Sequence, residues 1–74
     1  MKFLNDVRVG ETAVVVKILG EGALRRRLLD MGITKGVKVL VRKLAPLGDP
    51  MQIHVRGYEL SLRQSEAERI VVEE

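Results

Sequence analysis

Few residues in this chain could carry chemistry. There is one histidine, His54, and no cysteine. Without cysteine there are no disulfides, no thiolate metal ligands and no cysteine nucleophile, and the chain suits a reducing compartment. A metal ion would find a single imidazole, and its other ligands would have to be Asp or Glu side chains brought by folding, or a second molecule. No cofactor is therefore expected, and ferrous iron or another divalent cation would be held weakly at best. Ser61 and Ser65 lack an evident base, and no carboxylate pair has a spacing that suits general acid–base work. Gly20-Glu21-Gly22 falls far short of a phosphate-binding loop. The pattern does not support catalysis.

The other chemistry on offer is charge. Residues 17–56 carry nine basic side chains against three acidic ones, a net +6, while residues 57–74 carry a net −3. A basic middle and an acidic tail imply internal complementarity or a basic face for an anionic partner. The densest basic run is Arg25-Arg26-Arg27, set between leucines. At about 100° per helical residue, Leu24, Leu28 and Met31 form one stripe. Arg25 and Arg26 point away from it, Arg27 lies beside it, and Leu29 falls off it next to Arg25 and Arg26. Arg26 can pair with Asp30 at i+4. Most of this face reads as solvated; its functional reading is a docking face of Arg25, Arg26 and Leu29. Direct nucleic-acid binding is not expected, because Phe3 and Tyr58 are the only aromatics available for stacking bases.

A second candidate contact is Leu47, in the loop Ala45-Pro46-Leu47-Gly48-Asp49-Pro50. Pro46 suits position i+1 of a type I turn and Gly48 position i+3, which puts Leu47 near the tip. An apolar tip either folds back over a barrel end or meets a partner. Asp49 is expected to cap the turn through its side chain.

These groups must be positioned by short elements. Residues 12–19 are strand-like, with Val14, Val16 and Ile18 expected inward and Ala13, Val15 and Lys17 outward. Gly20 and Gly22 break that strand. A helix follows over 23–31, ended by Gly32 as the left-handed residue, with Ile33 touching Leu28 as in a Schellman stop. Residues 37–44 alternate with Val37, Val39 and Val41 inward. Residues 51–56 alternate with His54 outward, Gly57-Tyr58 turns the chain, and residues 59–63 return. Ser65 to Glu68 has capping-box spacing for one helical turn. Residues 70–74 close the set, and Leu4 and Val7 cover one end of the core.

Five short strands with one brief helix after the first, joined by short loops, are best buried as a small SH3-like, partly open barrel in a mainly β single domain over residues 1–74. The core must be aliphatic, since 46% of residues are hydrophobic and only 3% aromatic, and 74 residues leave little room for a deep catalytic cavity. The first residues do not read as a signal peptide, and no segment approaches the ~20 apolar residues of a membrane span. Exposed barrel edges leave homo-oligomers open.

Residues 24–39, "LRRRLLDMGITKGVKV", and 45–72, "APLGDPMQIHVRGYELSLRQSEAERIVV", resemble the FeoA family of ferrous iron transport accessory proteins. The phrase "RLLDMG" followed by "KG", the loop "PLGDP" and the hairpin "RGYELSLR" occur in order at close to family spacing. The resemblance implies an SH3-like barrel and a non-enzymatic accessory role in bacterial ferrous iron uptake. It implies an FeoB-type membrane transporter as partner, met on the cytoplasmic side. The chain would then be cytoplasmic and peripheral at the inner membrane through that transporter. On this reading Arg25, Arg26, Leu29 and Leu47 face the transporter. The alternatives are a transition-metal-binding sensor centred on His54, or a basic SH3-like module that binds nucleic acid.

Overall fold

The computed structural model describes all residues, 1–74. Six strands and two short helices follow one another as β1 (Lys2–Phe3), β2 (Thr12–Ile18), α1 (Ala23–Asp30), β3 (Lys38–Leu44), β4 (Met51–Val55), β5 (Tyr58–Leu62), α2 (Gln64–Ala67) and β6 (Ile70–Val72). The expected five strands are all present, and Lys2–Phe3 adds a sixth by pairing with Val71 and Val72. The strands lie in the order β1-β6-β2-β3-β4-β5, all neighbours antiparallel, so the barrel is open between β1 and β5.

Strand β2 belongs to both halves. Its first residues, Thr12 to Val14, pair with β3, and its last, Val15 to Ile18, pair with β6. The changeover is a bulge between Val15 and Lys17. A bulge inserts one residue and flips the inward parity of everything beyond it. This corrects the inward set expected for this strand: Ala13, Val15 and Ile18 are buried, while Val14 and Val16 are only partly so. A strict period of two cannot place both ends of a bent strand.

Strands β3 and β4 behave as their alternation predicts. Val39, Val41, Met51, Ile53 and Val55 are fully buried, and Lys38, Arg42 and His54 lie on the outer side. A second bulge between Val41 and Lys43 leaves Arg42 unpaired and ends the alternation, so Leu44 emerges 44% exposed. The turn into β5 is Arg56-Gly57, one residue earlier than expected, and Tyr58 already pairs with Val55. Two residues joining antiparallel strands need left-handed backbone, and Arg56 (φ 50°) and Gly57 (φ 86°) supply it.

Helix α1 ends as its sequence predicts. Ile33 N–H donates to Leu28 C=O (3.1 Å) and Gly32 N–H to Leu29 C=O (3.0 Å), with Gly32 at φ +92°. This is the Schellman pattern, and it drives Ile33 into the core beside Leu28. Leu4 and Val7 are buried and close one end. No helix is long and apolar enough to cross a membrane.

Candidate functional site

The stretch Arg25-Arg26-Arg27 splits into two jobs. Arg27, beside the apolar stripe, reaches across to α2, where its Nη1 lies 2.9 Å from Glu66 Oε2. The Glu66 side chain is only 3% exposed, whereas Arg27 is 60% exposed. The approach is at ion-pair distance without hydrogen-bond alignment, so Oε2 has charge compensation but no directed donor. The other oxygen, Oε1, accepts Arg63 N–H at 2.9 Å. Glu66, the third residue of α2, thus reaches back to the cap residue Arg63 and forms the acidic half of a capping box. The expected box starting at Ser65 lies two residues too late: Arg63, not Ser65, has the extended backbone of a cap.

Arg25 and Arg26 have no carboxylate within ion-pair distance, and the expected Arg26–Asp30 pair does not form. Together with Leu29 and the loop Gly20-Glu21-Gly22 they line an open surface cleft of about 360 Å³. Leu29 differs from its expected exposed position. It is half-buried and packs against the core from the flank, so only part of it is offered to a partner. Gly22 precedes α1 at φ +85° and offers the first helical N–H groups no side-chain cap. The cleft therefore combines two cations without an ion-pair partner, the single carboxylate of Glu21 and one apolar wall, a net charge of +1. Such a surface favours carboxylate-bearing protein segments over neutral ligands.

The far end of α1 is fixed by the β4–β5 hairpin. Arg56 Nε donates to Gly32 C=O (3.1 Å), its Nη2 donates to Thr34 Oγ1 (2.9 Å), and Tyr58 O–H donates to Met31 C=O. Two of these bonds reach carbonyls at the helix end and the third reaches the Thr34 hydroxyl just beyond it. They hold the helix, and with it the arginine face, at a set angle to the sheet.

Leu47 does not line this cleft. It sits at a separate tip, fully exposed at 104% of its reference area, and does not fold back over the barrel end. The turn differs from the expected type I. Gly48 N–H donates to Ala45 C=O (2.8 Å), with Leu47 at φ 70°, ψ 10°, the third position of a type II turn. A leucine in left-handed backbone costs about 1–2 kcal/mol. Asp49 caps a different element from the one expected: its Oδ1 accepts Gln64 N–H (3.2 Å) at the start of α2, and Gln64 Nε2 donates to Gly48 C=O. The tip is tied down while its leucine stays in water.

His54 lies half-exposed on the outer face of β4, directly opposite Glu59 of β5. Its Nδ1 meets Glu59 Oε2. Arg42 Nε reaches that same oxygen at 3.4 Å, and Gln52 Nε2 donates to Oε1 at 3.2 Å. The hydrogen bond from His54, with the positive charge of Arg42 behind it, holds the Glu59 carboxyl below its ordinary value of 4.5. Folding thus brings the histidine one carboxylate, already shared with an arginine and an amide. No three His, Asp or Glu side chains converge anywhere in the chain. Sequence reasoning missed this cluster. Its signal was the hairpin register, which places residues 54 and 59 opposite once the turn is set at 56–57.

Comparison with known proteins gives these surfaces a context. A family model, the FeoA domain, matches residues 2–74. The chain is 39% identical over 70 residues to an Fe(2+) transport protein A/Fe(2+) transporter FeoB fusion protein of Porphyromonas gingivalis. That match takes in 95% of this chain but only 8% of the relative's length. An FeoA-like protein of Clostridium acetobutylicum superimposes with a TM-score of 0.89 at 44% identity, over 96% of this chain and 83% of that one. FeoA of Stenotrophomonas maltophilia, solved with zinc and described as a prokaryotic SH3 domain protein, matches with a TM-score of 0.87 at 31% identity. It is covered over 91% of its length and this chain over 99%. A family match spanning nearly every residue, joined to an open SH3-like barrel, means that the chain belongs to the FeoA domain family.

Proposed function

We propose that this chain is a non-enzymatic accessory module of ferrous iron uptake that docks on an FeoB-type transporter through the Arg25–Arg26–Leu29 face. The observation that carries the reading is the state of the two arginines: both lack an internal partner, and both border a cleft with an apolar wall. A cationic surface left uncompensated by the fold is suited to steering an acidic partner. The Porphyromonas gingivalis relative, in which a transport protein A segment and an FeoB transporter are one polypeptide, supports the choice of partner. The side chains do not converge as a nucleophile and base, and a regulatory contact needs neither.

The test is to record isotope-labelled amide spectra of the chain while adding the detergent-solubilised FeoB-type transporter of the same source. Shifts or broadening confined to residues 20–30, abolished by a double Arg25→Glu and Arg26→Glu variant, are expected. An unchanged spectrum at high transporter concentration, or shifts that survive the double charge reversal, would refute this face.

A further inference from the structure

We propose that the loop between β3 and β4 is an interfacial tip: Leu47 enters the acyl boundary of an anionic bilayer, and Lys43 and Arg63 meet lipid phosphates. The proposal rests on the reading that the chain works beside a membrane transporter.

The first ground is the leucine. Its side chain touches nothing, and its left-handed backbone is held by the turn bond to Ala45, by Ala45 N–H donating to Pro50 C=O (3.0 Å), and by the two contacts to Gln64. A flexible loop would relax such a backbone; this one is braced with its apolar side chain outward. Leu44, the last residue of β3, is 44% exposed, and Pro46 and Pro50 are exposed on the loop itself. The feature is a projection, not a groove.

The second ground is charge. Lys43 and Arg63 are exposed and have no carboxylate within ion-pair distance. Arg63 shares a shallow cleft with Asp49 and Pro50. Of the nearby acids, Glu59 is shared by Arg42, His54 and Gln52, whereas Asp49 accepts a neutral N–H from the start of α2 and keeps its charge. Lys43 and Arg63 against Asp49 leave the tip with a net charge of +1. An apolar point backed by cations is the composition of an interfacial membrane segment, and a bilayer accepts a convex tip without a matching shape. One leucine and two cations give only weak, reversible adhesion. The tip would act as a second anchor that raises local concentration once the α1 face has docked.

The chain has no tryptophan, so Leu47→Trp creates a single reporter at the tip. It is titrated with transporter-free vesicles of phosphatidylcholine containing about one-third phosphatidylglycerol. A blue shift of its emission and quenching by brominated acyl chains are expected, both weakened by salt and by pure phosphatidylcholine. Lys43→Gln and Arg63→Gln should each lower vesicle affinity about fivefold, and Leu47→Asp should abolish co-sedimentation. Emission that stays unmoved at saturating vesicle, or binding that survives Leu47→Asp, overturns the proposal. If vesicles give no response but Leu47→Asp weakens capture of the solubilised transporter, the tip enters a protein pocket and the lipid assignment falls. Because the vesicles hold no transporter, failure here leaves the α1 docking face untouched, and failure of that face leaves this result standing.

Discussion

Arg27 and Glu66 should be energetically coupled, although the sequence presents Arg27 as one of three equivalent arginines. The perturbation is a double-mutant cycle of Arg27→Met, which keeps an unbranched apolar stem, and Glu66→Gln, which keeps the volume and the Oε1 acceptor to Arg63 N–H. Exposed pairs are worth about 0.2–1 kcal/mol, and breaking a fully buried pair costs about 3–5 kcal/mol. Here one partner is 3% exposed and the other 60%, so the pair lies between those cases. Removing Arg27 strips the charge compensation from a buried carboxylate but also opens a water path to Oε2, which limits the loss. Arg27→Met should therefore cost about 1–2 kcal/mol. Glu66→Gln should cost less, since Arg27 simply returns to water, and the double variant should resemble Glu66→Gln alone. The coupling then equals the Arg27→Met cost, about 1–2 kcal/mol, and each kcal/mol of lost stability lowers Tm by about 4–8 °C in a domain of this size. Urea unfolding followed by far-ultraviolet circular dichroism at neutral pH reads each corner. As controls, Arg25→Met and Arg26→Met should stay within about 0.5 kcal/mol of the parent. A coupling under about 0.3 kcal/mol, or an Arg27→Met as mild as those controls, would refute the division of the three arginines.

Other expectations follow from the same geometry. Gly32→Ala should lower stability by about 1–3 kcal/mol in the same unfolding assay, because φ is +92° and the new Cβ would lie 2.9 Å from Arg56 Cδ; a neutral result would mean that Arg56 does not brace the helix end. Leu47→Asn should raise stability by up to about 1 kcal/mol, since asparagine tolerates left-handed backbone and the leucine loses no contacts; a loss of stability would show that Leu47 packs in solution. Glu59→Gln should be less stable than the parent at neutral pH. Because the folded carboxyl titrates below its ordinary value of 4.5, the parent's advantage is present above that value and lost as pH falls through the lowered one. Thermal melts of the two proteins should therefore converge in acid, and a gap that persists at low pH would remove the His54–Glu59–Arg42 cluster as its cause.

Features whose causes lie within a few residues are legible in the order of amino acids. The stop of α1 is legible because Gly32 and Ile33 bond to carbonyls of the last helical turn. The alternation of β3 and β4 is legible because each strand keeps one face on the core. The arginine cleft was half legible: helical geometry separated Arg25 and Arg26 from Arg27 and set Leu29 beside them, but burial of Leu29 depends on what packs against its flank. The remaining features depend on segments far apart in the chain. The β2 bulge reverses which valines are buried, because one strand must pair with β3 at its start and β6 at its end. The partner of Arg27 comes from α2, and the partners of Glu59 come from two other strands. Leu47 stays in water because Gln64, far along the chain, holds its loop. Local hydrogen bonds and periodicity are written into neighbouring residues, whereas which charges are compensated and which are left over is settled only when distant segments meet.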